Sequence, residues 1–100
     1  MEVKIIEKID ADLKGLIPGF MAITHREVKE IGAAIKSEDL ATVTRLGHNL
    51  KGSALNYGFL ELGKIGRRIE AGAAGNDLNK VLVEFAALKD YVERVEVQFV

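Results

Sequence analysis

One histidine in the sequence has neighbours that suit phosphoryl chemistry. His48 is followed by Lys51 and Gly52 at separations of three and four residues, so both are its surface neighbours if the segment is helical. A neutral imidazole near its reference pKa of about 6.5 is a nucleophile that can carry a group covalently. A lysine ammonium is a point charge suited to phosphate oxygens. The spacing therefore predicts that the nucleophile His48 lies beside the cation of Lys51 and beside the open space left by the missing side chain of Gly52.

The segment around His48 has the periodicity of an amphipathic helix. Apolar or small residues recur on one face at steps of three and four, namely Leu40, Val43, Gly47, Leu50 and Ala54. At roughly 100° per residue, His48 points away from this stripe, so we expect its ring in solvent. Glycine inside a helix costs about 0.5–1 kcal/mol relative to alanine. We therefore expect Gly52 to provide clearance for a partner, and Gly47→Ala to stabilise an ordinary helix.

The composition is that of one globular domain. The chain has 100 residues, 48% hydrophobic and 29% charged, so we expect a single domain over residues 1–100. A net charge of −1 gives no field that would attract nucleic acid or an anionic membrane. The sequence has no cysteine, which excludes disulfides and thiolate metal sites and fits the cytoplasm. No apolar run is long enough to predict membrane insertion, and no signal-peptide pattern is present.

The N-terminal third predicts helices on both sides of a proline. Residues 3–16 alternate apolar and charged in a helical rhythm, so we predict a short first helix that starts near Asp10. Proline is tolerated in the first turn of a helix, so a second helix begins at Ile17 or Pro18 and runs to the break at Ser37. One kinked helix in place of the two is equally compatible with this pattern.

Three further helices are predicted, over residues 39–57, 59–74 and 78–99. Ser37 or Asp39 can cap the start of the first of these helices, and the run Gly75-Asn76-Asp77 ends the second and caps the third. Gly58 suits a left-handed residue at a helix C-terminus. The alternation in residues 95–100 continues the last helical stripe and has no evident strand partner, so we expect no sheet. The predicted fold class is all-α, an antiparallel four-helix bundle with a short additional N-terminal helix.

The block His48–Ser53 resembles the signature of the histidine-containing phosphotransfer (HPt) domains of bacterial two-component phosphorelays. That signature reads H-x-L-K-G-S and continues with a glycine, a spaced leucine and a leucine-glutamate-like pair. In this sequence the corresponding residues are Gly58, Leu62 and Ile69-Glu70. The resemblance spans about residues 9 to 90 and includes the break at residues 37–39. It implies the family's four-helix bundle, with the third and fourth predicted helices forming its central hairpin.

The resemblance also implies a role for each residue of the block. His48 matches the histidine that accepts the phosphoryl group, Lys51 the lysine that helps to neutralise it, and Gly52 the glycine that leaves room for the partner. The partners implied are the receiver domains of response regulators and a hybrid sensor histidine kinase. A receiver would bring the Mg²⁺, and the domain would need no cofactor of its own. Gly47 and Gly66 depart from the family, which more often has alanine and a small apolar residue there.

The function that this sequence predicts is a monomeric phosphocarrier that relays phosphoryl groups between receiver aspartates. No nucleotide-binding motif is present, so we expect no ATP-dependent kinase activity. We expect receivers to dock near His48 on an apolar patch that includes Ala41, Leu55 and the first helix. His25 is not expected to accept phosphate, because no lysine and glycine follow it at the required spacing. Two alternatives remain: an inactive helical-bundle adaptor that docks receivers without phosphotransfer, and a module that dimerises through its apolar tail.

Overall fold

The computed structural model of the protein describes residues 3–100. Over these residues the chain forms four α-helices, preceded and followed by a short strand. In chain order the elements are strand β1 (Ile5–Ile9), a 3₁₀ helix (Ala11–Leu16), α1 (Ile17–Lys36), α2 (Leu40–Tyr57), α3 (Leu60–Ala74), α4 (Leu78–Arg94) and strand β2 (Val95–Phe99). The prediction of a mostly helical fold with four long helices is confirmed.

The long helices begin and end where local signals in the sequence predict. The Oδ1 atoms of Asp39 and Asp77 accept hydrogen bonds of 3.1 Å from backbone amides in the first turns of α2 and α4. Gly58 closes α2 in the left-handed conformation, with φ at 87°. Pro18 lies in the first turn of α1, where its missing amide proton breaks no hydrogen bond.

The predictions for both ends of the chain are wrong in part. Residues 5–9 form a strand, and only residues 11–16 are helical, as a 3₁₀ helix rather than an α-helix. The side chain of Asp10 caps this 3₁₀ helix by accepting a hydrogen bond of 2.9 Å from the amide of Asp12. The last α-helix ends at Arg94, and the residues that follow it form a strand rather than a continued helix.

The two strands pair in parallel, contrary to the expectation of no sheet. Ile5 lies opposite Val95, and Ile9 lies opposite Phe99. The pairing continues past the strands through a hydrogen bond of 3.0 Å from the amide of Ala11 to the carbonyl of Val100. Parallel strands need a long crossover connection, and here the whole helical bundle is that connection. Neither segment has a strand partner nearby in the sequence, which explains why each was predicted to be helical.

The core is a continuous cluster of apolar side chains contributed by all four helices and by β1. Its fully buried members include Ile9, Ile31, Val43, Leu50, Phe59, Leu62, Ile69, Val81 and Leu88. The Phe20 ring of α1 stacks on Phe59 with ring centroids 4.6 Å apart, which ties α1 to the turn between α2 and α3. Burial of each large apolar side chain contributes about 1.5–3 kcal/mol, so the core fixes the helices that carry His48. Within residues 3–100, no helix has the length and apolar character required to cross a membrane.

The most extensive helix contact joins α2 to α3, and two glycines make it close. A methyl group built on Gly66 would stand 2.8 Å from the backbone nitrogen of Lys51, and one built on Gly47 would stand 2.9 Å from the backbone nitrogen of Glu70. Only glycine at these two positions allows the two helix backbones to approach this closely. The expectation that Gly47→Ala stabilises an ordinary helix is therefore reversed, because α3 packs directly against this glycine.

Candidate functional site

His48 lies at the middle of α2 on the side away from the buried stripe. Its side chain is 63% exposed. The residues that hold this turn of α2 in place are Val43, Leu50 and Ala54, which are fully buried on the opposite face. The structure thus confirms the predicted orientation: a rigid helix presents an imidazole ring at the surface of the bundle.

The imidazole ring of His48 is held by a carboxylate from the neighbouring helix. Nδ1 of His48 lies 2.8 Å from Oε2 of Glu70 on α3. The contact depends on the glycine that precedes His48, because the close approach at Gly47 brings the backbone of Glu70 against α2. A residue with a side chain at position 47 would move Glu70 away from the ring.

Lys51 contacts the second oxygen of the same carboxylate. Its Nζ donates a hydrogen bond of 3.0 Å to Oε1 of Glu70, and both side chains are about three-quarters buried. The hydrogen bond from Lys51 and, less strongly, the one from His48 lower the pKa of Glu70 against the opposing effect of desolvation. Glu70 is therefore an ionised carboxylate at neutral pH and acts only as an acceptor.

The charge state of Glu70 fixes the tautomer of the ring. A carboxylate that only accepts hydrogen bonds requires a donor, so we assign the ring proton of His48 to Nδ1. Nε2 then carries the lone pair of the neutral ring. A ring nitrogen with a free lone pair on an exposed side chain, with an ammonium group nearby, is suited to attack an electrophile such as phosphorus.

Gly52 differs from the two glycines in the helix contact. It is exposed, and a methyl group built on it would meet no atom within 4 Å. No packing requirement explains this glycine, which lies one turn after His48. The open space beside it fits the predicted role of clearance for a partner.

The structure brings the sequence-predicted residues together through a residue whose role the sequence reasoning missed. His48 and Lys51 both bond to Glu70, while Gly52 lies on the following turn. Glu70 is part of the pair Ile69-Glu70 in the motif, but no role was predicted for it. The signal in the sequence that could have found this contact was the pair Gly47 and Gly66, because glycine lets a second backbone approach closely. His25 lies on α1 and is exposed.

Exposed apolar side chains lie on both sides of α2. Leu55, predicted to be part of a docking patch, is 48% exposed. Ala41, predicted with it, is also exposed. On the other side, the start of α1 and the end of α2 form a groove of about 410 Å³, lined by Leu16, Gly19, Phe20, Ile23, Ser53 and Tyr57. Contiguous apolar surface can mark a protein interface.

A protein-family comparison decides what this arrangement is. The family model described as Hpt domain matches residues 19–98. The chain belongs to the Hpt domain family. The match covers α2, α3 and α4 in full and α1 from Gly19 onward, and it leaves β1 and the 3₁₀ helix outside. Searches of curated proteins and of solved structures each found no match.

Membership in the family assigns a general activity to the bundle. Hpt domains take part in histidine phosphotransfer within phosphorelays, where receiver domains are their partners. In this chain the exposed ring of His48 and the ammonium group of Lys51 both contact the carboxylate of Glu70. Within residues 3–100, no group of three or more histidine, cysteine, aspartate or glutamate side chains is placed to hold a metal ion.

Proposed function

We propose that this Hpt domain accepts a phosphoryl group on Nε2 of His48 and relays it between receiver-domain aspartates. The observation that carries the proposal is the hydrogen bond of 2.8 Å between Nδ1 of His48 and Glu70. With the proton held on Nδ1, the lone pair of Nε2 is free to attack the acyl phosphate of a receiver. The ring is exposed, so a large partner reaches it without any rearrangement of the bundle.

In this proposal Lys51 acts on the charge of the transferred group. The phosphoryl oxygens carry negative charge throughout transfer, and catalysis depends on alignment and charge stabilisation. The Nζ atom of Lys51 is held by Glu70, within one helical turn of the nucleophile. Mg²⁺ and the acidic pocket that binds it belong to the receiver, and the Hpt domain supplies the nucleophile and this cation. The domain needs no nucleotide, because the donor is already phosphorylated.

The docking surface in this proposal surrounds His48 on α2 and extends to α1. Gly52 leaves space next to the ring, since no atom beyond its chain neighbours and the backbone of its own helix would lie within 4 Å of a Cβ there. The exposed apolar side chains of Leu55, Leu16 and Ile23 are available for contact with a receiver. A hybrid sensor kinase whose receiver docks here would be the donor, and a response regulator would be the acceptor.

We further infer that α2 and α3 form an antiparallel hairpin at the centre of a single, monomeric and cytoplasmic domain. Gly47 contacts Glu70, Lys51 contacts Gly66, and Leu55 contacts Gly63, so residue numbers rise in α2 as they fall in α3. These contacts support the antiparallel order. The absence of cysteine from the sequence is consistent with the cytoplasm.

The test is phosphorylation of the protein by a phosphorylated receiver domain in the presence of Mg²⁺. We expect the unmodified protein and His25→Gln to take up label, and His48→Gln to take up none while keeping the same helical content. The label should be acid-labile and base-stable, as expected of a phosphoramidate. Binding of the receiver without transfer to the unmodified protein would favour the alternative, an inactive adaptor. Label on His48→Gln would place the acceptor elsewhere.

A further inference from the structure

Glu70 is placed to act on the phosphorylated ring as well as on the free one. Its Oε2 lies 2.8 Å from Nδ1 of His48, and Nδ1 is the ring nitrogen that remains free when Nε2 carries the phosphoryl group. Its Oε1 is occupied by Lys51 at 3.0 Å, which leaves Oε2 for the ring. The side chain of Glu70 is only 24% exposed, so solvent competes weakly for this hydrogen bond.

We propose that Glu70 keeps a proton on Nδ1 of His48 while Nε2 is phosphorylated, so that onward transfer to a receiver needs no proton from solvent. This inference rests on the function proposed above. It makes Glu70 a positioning residue, which acts on the reaction through the ring of His48.

The forward step leaves the proton where Glu70 holds it. The lone pair of Nε2 forms a bond to phosphorus, the bond from phosphorus to the donor aspartate oxygen breaks, and its electron pair returns to the aspartate carboxylate. The ring has given up a lone pair and kept its Nδ1 proton, so it now carries one positive charge. The carboxylate of Glu70 lies against this charge and favours it over the deprotonated ring.

The onward step reverses the charge change without any exchange of protons. An oxygen lone pair of the acceptor aspartate forms a bond to phosphorus, the bond from phosphorus to Nε2 breaks, and its electron pair returns to the ring. The product is the neutral ring with its proton on Nδ1. If Nδ1 has lost its proton beforehand, the same step would expel an imidazolate anion, which is a much poorer leaving group than neutral imidazole.

The charged groups nearest to the ring are Glu70 itself and those three or four residues from His48 on α2 or from Glu70 on α3, which is the spacing of surface neighbours on a helix. On α2 these are Lys51, bonded to Glu70, and the exposed Arg45, one turn before His48. On α3 they are Glu70 itself and the exposed Arg67, one turn before it. Of these four groups only Glu70 is anionic, and the three cations oppose a positive ring. Without Glu70 the phosphorylated ring should therefore lose its proton easily.

The experiment measures single-turnover transfer from the phosphorylated domain to a Mg²⁺-loaded receiver, between about pH 6 and 9. The proteins compared are the unmodified domain, Glu70→Gln, and Glu61→Gln as the matched control, since Glu61 is an exposed glutamate of the same helix that pairs with Lys64. Because one receiver is used throughout, the rate ratio of the unmodified domain to each variant isolates the contribution of the ring. We expect this ratio to rise about tenfold per pH unit above about pH 7 for Glu70→Gln, given the imidazole reference pKa. For Glu61→Gln it should stay within about twofold of unity at every pH.

A ratio for Glu70→Gln that does not change with pH would overturn the inference, because a merely structural role lowers the rate equally at every pH. A second measurement tests the same inference on the unmodified domain, so it does not depend on whether Glu70→Gln folds. Nitrogen-15 NMR of the unmodified domain, phosphorylated on His48, should report a protonated Nδ1 at about pH 8, and an unprotonated Nδ1 would overturn the inference. Failure of His48 to take up any label would instead contradict the proposed function, so the two failures are distinguishable.

Discussion

The hydroxyl group of Tyr91 on α4 donates a hydrogen bond of 2.8 Å to Oε2 of Glu7 on β1. Both residues are buried, and Glu7 is only 3% exposed. The same carboxylate accepts hydrogen bonds from the backbone amides of Glu61, at 3.3 Å, and Leu62, at 3.2 Å, in the first turn of α3. Through these three hydrogen bonds one buried carboxylate joins β1, α3 and α4. Its negative charge is also favourable at the N-terminus of α3.

Replacement of Glu7 should strongly destabilise the fold. Glu7→Ala leaves two amides and one hydroxyl buried without an acceptor, and each buried unpaired donor costs about 1–3 kcal/mol. We expect the free energy of unfolding in urea to fall by about 3 kcal/mol or more. Lys8→Ala, at the exposed neighbouring position of the same strand, should change it by less than about 0.5 kcal/mol. Equal stability of the two variants would show that α3 does not need this cap.

Tyr91 should make the stability fall in alkaline solution. Burial first, and then the hydrogen bond and charge of Glu7, raise the pKa of Tyr91 well above its ordinary value. The unfolded chain therefore ionises at this tyrosine from about pH 10 upward while the folded protein does not. The stabilisation is fully present below that pH and is lost above it, at about 1.4 kcal/mol per pH unit.

The measurement compares urea unfolding of the unmodified protein with that of Tyr91→Phe, whose ring cannot ionise. Contributions from other titratable groups cancel in the difference between the two proteins. The advantage of the unmodified protein at neutral pH should shrink steadily above about pH 10. A difference that stays constant with pH would mean that Tyr91 ionises equally in the folded and unfolded states.

Gly47 should be required for the stability of the bundle. Its Cβ would stand 2.9 Å from the backbone nitrogen of Glu70, so Gly47→Ala forces α2 and α3 apart. Overpacking of this kind costs about 1–3 kcal/mol. Gly52→Ala is the matched control on the same helix, and it should gain up to about 1 kcal/mol because open space surrounds it. A gain in thermal unfolding experiments for both variants would contradict the tight helix contact.

The four long helices could be predicted because their signals are local. The side chains of Asp39 and Asp77 accept hydrogen bonds from backbone amides three residues later, and Gly58 ends α2 through its own left-handed backbone conformation. The strands could not be predicted in this way, since Ile5 and Val95 pair across almost the whole chain. The spacing of apolar residues in these end segments also fits a helix, and periodicity alone cannot separate the two in so short a run.

The distinction between local signals and contacts of distant residues also applies to the candidate site. His48, Lys51 and Gly52 could be proposed together because one turn of one helix contains them. Glu70 lies 22 residues from His48, and its contact with the ring depends on how closely α2 and α3 pack. The role of Glu7 is harder still to predict from the sequence, because nothing in its own segment indicates that this glutamate is buried against another helix.

Lys51 should affect the rate of transfer rather than the affinity for the receiver. Lys51→Ala removes the cation that acts on the phosphoryl charge, so we expect single-turnover transfer to slow by about tenfold or more. Lys64→Ala, which removes an exposed lysine paired with Glu61, is the control and should transfer normally. Titration of the receiver binding equilibrium completes the test. Weaker binding with an unchanged transfer rate would assign Lys51 to docking.

Gly52 should be needed by the partner and not by the fold. Glutamine has a better helix propensity than glycine. A Cβ at this position would meet no atom within 4 Å beyond its chain neighbours and the backbone of its own helix. We therefore expect Gly52→Gln to keep or raise the melting temperature. The new side chain would stand next to the imidazole of His48, in the space that a receiver enters, and a misplacement of about 1 Å can cost on the order of a hundredfold in rate.

Two phosphoryl donors of different size test this role of Gly52. Transfer from a phosphorylated receiver to Gly52→Gln should fall steeply, while labelling of His48 by phosphoramidate should fall much less, because steric exclusion affects only the large donor. Gly52→Ala should lie between the unmodified protein and Gly52→Gln with the receiver, since its side chain is shorter. Equal losses with both donors would mean that the substitution damages the nucleophile itself. Unchanged rates with both would show that a receiver does not need the space beside His48.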